Sequence, residues 1–376
     1  MSSKQKTLIL LPVFDLGGAE KQGYYIAKSL QDSGLYDVEV WALDNGSGNL
    51  CPLLESSNLK FTNLKIPFGS FYNRKKRISV YFQFIKALRK AKFNAVIPFT
   101  YHCNVLAAST YKFAGVKKCL WFQIAMEFHI PMSTFEKLAL KFKPKYASNS
   151  KAAGKFIADR HAQDANDVSF IPNPFEKIAI ITEKEDWRLK LGIADDEIML
   201  FMAANFFPEK DHETLIKGFH LALKQNAKLK LVLAGNHNNV ERVSIVKSSC
   251  FDLGLNSNQV IFIGTSDDVP GLINASDICL LTSISEGSPN ALIEYMGYGK
   301  PIVASAIPSI IELLKPEYPY LFEAQNSEDL STKIIEVIST LGTEYGQNLV
   351  NVNQNTVLTE YTIQTNFNAF HKLLSA

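Results

Sequence analysis

Short runs of consecutive apolar residues alternate along the whole chain with longer segments whose apolar positions recur at helical spacing. In the first half, runs at residues 7–14, 38–43, 95–100, 119–124, 146–149 and 168–171 predict strands, and in the second half those at 198–204, 230–234, 260–263, 278–282 and 301–305 do so. Residues 21–31 and 215–224 read as amphipathic helices. Ile78, Tyr81, Phe82, Ile85 and Leu88 predict another over 79–92. Continuous apolar strands separated by helices imply parallel sheets covered on both faces. The expectation is an α/β protein of two Rossmann-like, doubly wound domains facing a central cleft, with ligands at the carboxyl ends of the strands. The polar stretch 351–365 reads as a connection into a last helix.

Composition narrows this further. With 376 residues, 47 % apolar and 20 % charged, the chain holds material for two cores, and disordered, collagen-like and disulfide-framework classes are excluded. Its apolar runs fall short of the roughly 18 to 20 residues that span a bilayer. The N-terminal run is broken by Pro12 and Asp15 and followed by a Gly-Gly turn, where a signal peptide would place its cleavage site. It therefore reads as a first strand, and the protein as cytoplasmic. Five cysteines form no CxxC pair and read as reduced thiols. The seven histidines show no HxH or HxxH spacing and no D-x-D triplet occurs, so no metal is expected.

Charge is divided unevenly. Residues 1–172 hold 24 Lys and Arg against 12 Asp and Glu, about +12, whereas residues 173–376 hold 15 against 25, about −10. Pro172 and Pro174 mark the expected boundary between domains 1–172 and 173–351. Basic clusters lie at Arg74, Lys75, Lys76 and Arg77, at Arg89, Lys90 and Lys92, and at Lys137, Lys141, Lys143 and Lys145. Two readings of the basic rim of helix 79–92 stand: a solvated outer face, or a face held against an anionic membrane surface from the cytoplasmic side. Nucleic acid is not an expected partner, because the aromatics fall on the buried helical face without a stacking-platform pattern.

The most informative segment is 285–294, after the strand at 278–282. Ser288 is a suitable N-cap and Pro289 a suitable first helical residue, so a helix should open here and run through Glu294 to about Tyr298. Glu286 then lies in the preceding loop. The amides of Gly287, Ser288 and Asn290 are candidates to bind a sugar hydroxyl or phosphate oxygen, and Glu294 to hold a vicinal diol such as a ribose. A capping carboxylate beside a solvated helix glutamate is the plainer alternative. Gly17 and Gly18, at the first strand-to-helix turn, let backbone amides approach a phosphate, although G-x-G-x-x-G is not present.

Taken together, these motifs resemble the group 1 glycosyltransferase family, retaining enzymes of the GT-B fold. Glu286 and Glu294 meet its E-x7-E signature, residues 17–20 its Gly-Gly-Ala-Glu loop, Lys210 its phosphate lysine, and residues 171–173 its interdomain Ile-Pro-Asn. Residues 264–269 resemble its base-binding loop, which implies donor-binding roles for Asp268 and Val269, and Gly235, Pro289 and Asn205 fall in the same expected donor site. The resemblance covers most of the chain, from Gly17 to Glu312. It implies transfer of a sugar from a UDP- or GDP-linked donor to a glycan or lipid-linked acceptor, in cell-surface polysaccharide or glycolipid synthesis. It also implies a histidine near the reaction centre, for which His129 and His102 are the candidates, with Glu127 secondary. Lys210 and Glu286 would carry the chemistry, without a metal or other cofactor. A last helix, within about 352–376, is expected to cross back to the N-terminal domain.

One departure bears on activity. Asn205 stands where the family often keeps a phosphate-binding arginine, and Phe207 occupies the variant position for that charge. Two alternatives therefore remain open: a catalytically weak or inactive sugar-nucleotide-binding subunit, and a GT-B-fold sugar-nucleotide epimerase.

Overall fold

The computed structural model describes residues 4–125 and 131–376. The chain forms two compact units, one of Met1–Pro174 with Tyr361–Ala376 and one of Phe175–Glu360. Among the described residues no helix is long and apolar enough to cross a membrane.

In the first unit, β1 (Gln5–Leu11), α1 (Gly18–Asp32), β2 (Tyr36–Ala42), α2 (Cys51–Ser56) and β3 (Lys60–Asn63) are followed by α3 (Arg74–Ala91) and β4 (Ala95–Pro98). Then come α4 (Thr100–Thr110), β5 (Lys118–Gln123), α5 (Thr134–Phe142), β6 (Lys145–Ser148), α6 (Lys151–His161) and β7 (Val168–Phe170). The seven strands are parallel, in the order β3-β2-β1-β4-β5-β6-β7. The chain leaves β1 toward one edge and returns at β4 on its other side, so the loops after β1 and β4 flank the switch point, where open α/β sheets bind ligands. One face of the sheet packs Leu8, Leu10 and Val96 against Phe84 and Leu88 of α3, and the other packs Ile9, Leu11 and Ile97 against Ile26 and Leu30 of α1.

The second unit repeats the plan. Helix α7 (Lys184–Lys190) precedes β8 (Ile198–Ala203), α8 (His212–Leu223), β9 (Leu229–Ala234), α9 (Val240–Asp252), β10 (Val260–Gly264) and α10 (Val269–Ala275). Next are β11 (Ile278–Leu281), α11 (Asn290–Gly297), β12 (Ile302–Ser305), α12 (Pro308–Leu314), β13 (Leu321–Phe322), α13 (Ser327–Ser339) and α14 (Glu344–Glu360). Its parallel sheet runs β10-β9-β8-β11-β12-β13, with the switch point between β8 and β11.

The chain then returns to the first unit as α15 (Ile363–Ser375), as expected of the last helix. Phe370 and Leu374 are buried in the first core, and Phe370 meets the Phe122 ring edge-on at 5.3 Å. Asn366 donates from Nδ2 to the Pro172 carbonyl at 2.8 Å, fastening α15 to the end of the first unit's main chain.

Several expected boundaries move. Residues 351–360 are helical: α14 buries Val350, Asn353 and Val357 at helical spacing, a stripe too narrow to stand out from its polar composition. Helix α3 starts within the basic cluster because Asn73 caps it, its side chain accepting from the Lys76 amide. Strand β1 ends before Pro12, which has no amide hydrogen for the ladder. The edge strands β3 and β13 carry too few apolar residues to register as runs.

Candidate functional site

The loop after β8 and the loop after β11 meet at the switch point of the second unit. Thr282 Oγ1 donates to the Lys210 carbonyl at 2.9 Å, and the Ile284 amide donates to the Glu209 carbonyl at 2.8 Å. These bonds bring Lys210 and Glu286 together, and Lys210 Nζ forms an ion pair with Glu286 Oε1. Ser283 Oγ donates to the same carboxylate oxygen at 2.7 Å. The lysine and the glutamate thus satisfy one another, in a pair partly open to solvent.

Beyond Lys210, Asp211 adopts a left-handed backbone at φ 46° and caps α8, its Oδ1 accepting from the Thr214 amide at 3.2 Å. The second oxygen, Oδ2, is buried with no hydrogen-bond partner among the described residues. His212 stacks on Phe206 at 4.4 Å. Burial, then the charges of Lys210 and Arg242, lower its pKa to about 4, so the ring is neutral at pH 7.

Helix α11 begins at Asn290, with Pro289 rather than Ser288 in the cap position and no side-chain cap. The expected Ser288 cap is therefore corrected: the chain stays extended through Pro289, at φ −74° and ψ 102°, and turns helical one residue later. Gly287 and Pro289 are buried, while Ser288 and Asn290 are partly exposed. Tyr295 anchors the helix by accepting from the Ala203 amide at 2.7 Å, which holds the second turn, and with it the half-buried Glu294, at the end of β8.

Asn205 is a structural bridge: its Oδ1 accepts from the Asn236 amide at 3.0 Å, joining the loops after β8 and β9. Gly235 lies under the same crossing, where an added Cβ would stand 2.0 Å from the Ala204 carbonyl oxygen, so only glycine fits. Asp268 is buried and caps α10 through the Gly271 amide at 2.9 Å. It also accepts from the Ile181 and Thr182 amides at 3.3 and 2.9 Å and from Trp187 Nε1 at 2.8 Å. Burial alone would raise its pKa, but these hydrogen bonds lower it. With protein donors on both oxygens, its carboxylate holds the start of α10 to residues 181–187. Val269 follows as the first residue of α10 and is partly exposed.

In the first unit Gly17 caps α1 and Gly18 opens it, at the carboxyl end of β1. Glu20 folds back over this turn: a Cβ on Gly17 would lie 2.3 Å from Glu20 Oε2. Across the switch point Thr100 opens α4 with φ 68°, a strained conformation for a β-branched residue and of a kind that collects at functional sites. His102 lies in the first turn of α4, stacked on Phe71 at 4.9 Å, its Nε2 3.4 Å from the Tyr72 hydroxyl. Burial lowers its pKa. His129 and Glu127 lie outside the described residues.

Sequence reading missed a second cluster here. Glu136 is fully buried and accepts from Arg160 Nε at 2.7 Å, Arg160 Nη2 at 3.0 Å and the Tyr101 hydroxyl at 2.7 Å, with His161 Nε2 at 3.0 Å. This network ties α4, α5 and α6 together next to His102. Its signal in the sequence is the capping box of Ser133 and Glu136.

Two doubly wound parallel sheets, each with a switch point, define a two-unit Rossmann-like architecture, and solved structures share it. The glycosyltransferase from Rickettsia africae superimposes with a TM-score of 0.82 at 18 % identity, covering 99 % of this chain and 98 % of that one. Anabaena HepE, in complex with UDP and glucose, superimposes with a TM-score of 0.81 at 22 % identity over 99 % of both chains. The fold is GT-B. Residues 183–351 match the sequence profile of the glycosyl transferases group 1, and the second unit, which holds Lys210, Glu286 and Glu294, belongs to that family. An uncharacterized glycosyltransferase of Methanocaldococcus jannaschii is 26 % identical over 163 residues, 43 % of this chain and 40 % of that protein. The N,N'-diacetylbacillosaminyl-diphospho-undecaprenol alpha-1,3-N-acetylgalactosaminyltransferase of Campylobacter jejuni is 26 % identical over 239 residues, 60 % of each chain.

Proposed function

We propose that the protein is a retaining, metal-independent glycosyltransferase that moves a hexose-type sugar from a UDP- or GDP-linked donor to a lipid-linked or glycan acceptor. The observation that carries this reading is the Lys210–Glu286 pair at the switch point of a group 1 unit, with Glu294 on the helix that follows. Breaking the bond between a sugar and a diphosphate builds negative charge on the leaving oxygen, and stabilising that charge is the main demand on the site. Lys210 answers it by leaving Glu286 for the phosphates. Glu286, so released, accepts from hydroxyls of the donor sugar, while Glu294 holds the ribose diol. Retention follows when the acceptor attacks from the face the diphosphate leaves, a phosphate oxygen taking its proton. The lipid-linked acceptor is suggested by the C. jejuni relative, whose name specifies a diphospho-undecaprenol substrate, and it implies work at a membrane surface.

Calorimetry and turnover test this together. Glu294→Ala is expected to weaken binding of the cognate nucleoside diphosphate by about 10- to 100-fold, the loss of charged hydrogen bonds. Lys210→Ala is expected to lower turnover by about 100- to 1,000-fold. Nucleotide binding without turnover in the wild type would favour the inactive-subunit reading, for which the bridging role of Asn205 in place of a phosphate arginine is the supporting observation. Near-normal turnover in Lys210→Ala would overturn the site.

A further inference from the structure

Between Ser56 and Met126 the chain holds thirteen Lys and Arg and no Asp or Glu. Helix α3 lies in the middle of this stretch, and its inner face is fully used: Val80, Tyr81, Phe84 and Leu88 are buried in the first core. On the opposite side, Lys75, Ile78, Phe82, Lys86 and Arg89 follow one another at intervals of three and four residues, which places them on one line along the helix. All five are exposed. Phe82 is 70 % exposed and Ile78 45 %, and Tyr72, just before the helix, is 79 % exposed. The Arg89 guanidinium donates to the Phe113 carbonyl at 3.0 and 2.8 Å, which brings the exposed Phe113 and Lys112 beside the same line.

The electrostatics of α3 oppose its own folding. Its first turn carries a cluster of cations and no acid, where the helix macrodipole disfavours positive charge. An anionic plane against this end removes that conflict. Isolated cations would suit any polyanion, but Ile78 and Phe82 stand between the cations on the same line. Hydrocarbon accepts such side chains, whereas a phosphate backbone does not.

We infer that the outer face of α3, with Tyr72 and the Phe113 turn, docks on an anionic lipid bilayer, Tyr72, Ile78, Phe82 and Phe113 entering the interface while Lys75, Lys86, Arg89 and Lys112 engage headgroups. This rests on the lipid-linked acceptor reading for its purpose, because it would bring the first unit to the surface that carries such an acceptor, but its evidence is the face itself.

The test is co-sedimentation of the full chain with vesicles of phosphatidylcholine, with and without about 30 mol % phosphatidylglycerol. Binding to the anionic vesicles is expected to be at least roughly tenfold tighter and to weaken with salt. Lys75→Glu with Lys86→Glu should abolish that preference. Ile78→Ser with Phe82→Ser should weaken binding at every salt concentration. Phe82→Trp should show a blue-shifted emission on anionic vesicles only, a readout of insertion that a misfolded variant would not give. UDP and GDP binding in solution should be unchanged in all these variants. Failure to bind anionic vesicles overturns the inference, whatever the nucleotide assay gives. Binding that heparin or single-stranded RNA competes away, and that Phe82→Ser leaves intact, overturns it in favour of a polyanion site. Vesicle binding in a protein that binds neither nucleotide would sink the transferase reading and leave the membrane face standing.

Discussion

Glu20 and Glu136 are both buried in the first unit, yet their surroundings drive their ionisation in opposite directions. Burial raises the pKa of Glu20 to about 7, with the bond to its own backbone amide pulling down and the charge of Asp15 pushing up. Burial acts on Glu136 in the same sense but is outweighed by hydrogen bonds from His161, Arg160 and Tyr101, which bring its pKa down to about 2. The linkage signs follow. A carboxyl raised by folding contributes stability below its ordinary pKa that is lost as pH rises through the folded value, so Glu20 weakens the unit between about pH 4.5 and 7. A carboxyl lowered by folding contributes stability above its ordinary pKa that is lost as pH falls, so Glu136 weakens the unit between about pH 4.5 and 2. Thermal melts against pH should therefore show Glu20→Gln melting above wild type at about pH 8 and level with it below about pH 5. Glu136→Gln should lose about 3–5 kcal/mol at neutral pH, since it removes the buried carboxylate charge on which Arg160, Tyr101 and His161 converge. If Glu20→Gln gains nothing at high pH, the carboxyl over Gly17 is hydrated rather than desolvated.

At the scale of elements, what was legible in the sequence is what local pattern encodes. Continuous apolar runs gave the central strands of both sheets, and the order of E-x7-E, Gly-Gly-Ala-Glu and Pro-Glu-Lys motifs located the loops at the switch points. Pattern failed where a tertiary partner decides. Helix α14 is polar in composition and is held by Val350 and Val357, together with Gln354, which donates to the Gly297 carbonyl at 3.1 Å. Asp268 looks the same in a sequence whether it caps a helix and gathers distant amides or binds a ligand, and only the fold reveals the first. Asn205 reads as a missing arginine, but the bond it accepts from Asn236 cannot be seen without the loop after β9 beside it. Helix α15 returns to the first unit as the family resemblance implied, a destination that local pattern does not encode, and its anchoring can be measured. Phe370→Ala removes a fully buried ring between α15 and Phe122 and should cost about 3–5 kcal/mol in the unfolding of the first unit. A loss below about 1 kcal/mol would mean that α15 is held by its hydrogen bonds to Pro172 and its neighbours rather than by the core.

For the whole molecule, on the transferase reading proposed above, the division of charge would set the terms on which a donor binds. A nucleoside diphosphate sugar is an anion, and its expected site lies in the half of the chain that carries 25 acidic residues against 15 basic ones. The general field of that half opposes binding, so the attraction must be local, from Lys210, the loop amides near residues 287–290 and the start of α11. A divalent cation could assist in two physically different ways, by sitting on the diphosphate as a bound ion or by screening the acidic surface at a distance. Screening is nonspecific, and at about 0.15 M monovalent salt the screening length is already about 8 Å, so sodium chloride can replace the cation in that role. Turnover in EDTA at that ionic strength should therefore equal turnover with Mg²⁺ or Mn²⁺. At low salt a modest stimulation by Mg²⁺ is expected, and sodium chloride at equal ionic strength should reproduce it. Activity lost in EDTA that Mg²⁺ or Mn²⁺ restores and sodium chloride does not would establish a bound metal at the diphosphate, and would demote Lys210 from the principal charge on the leaving group to one contributor among several.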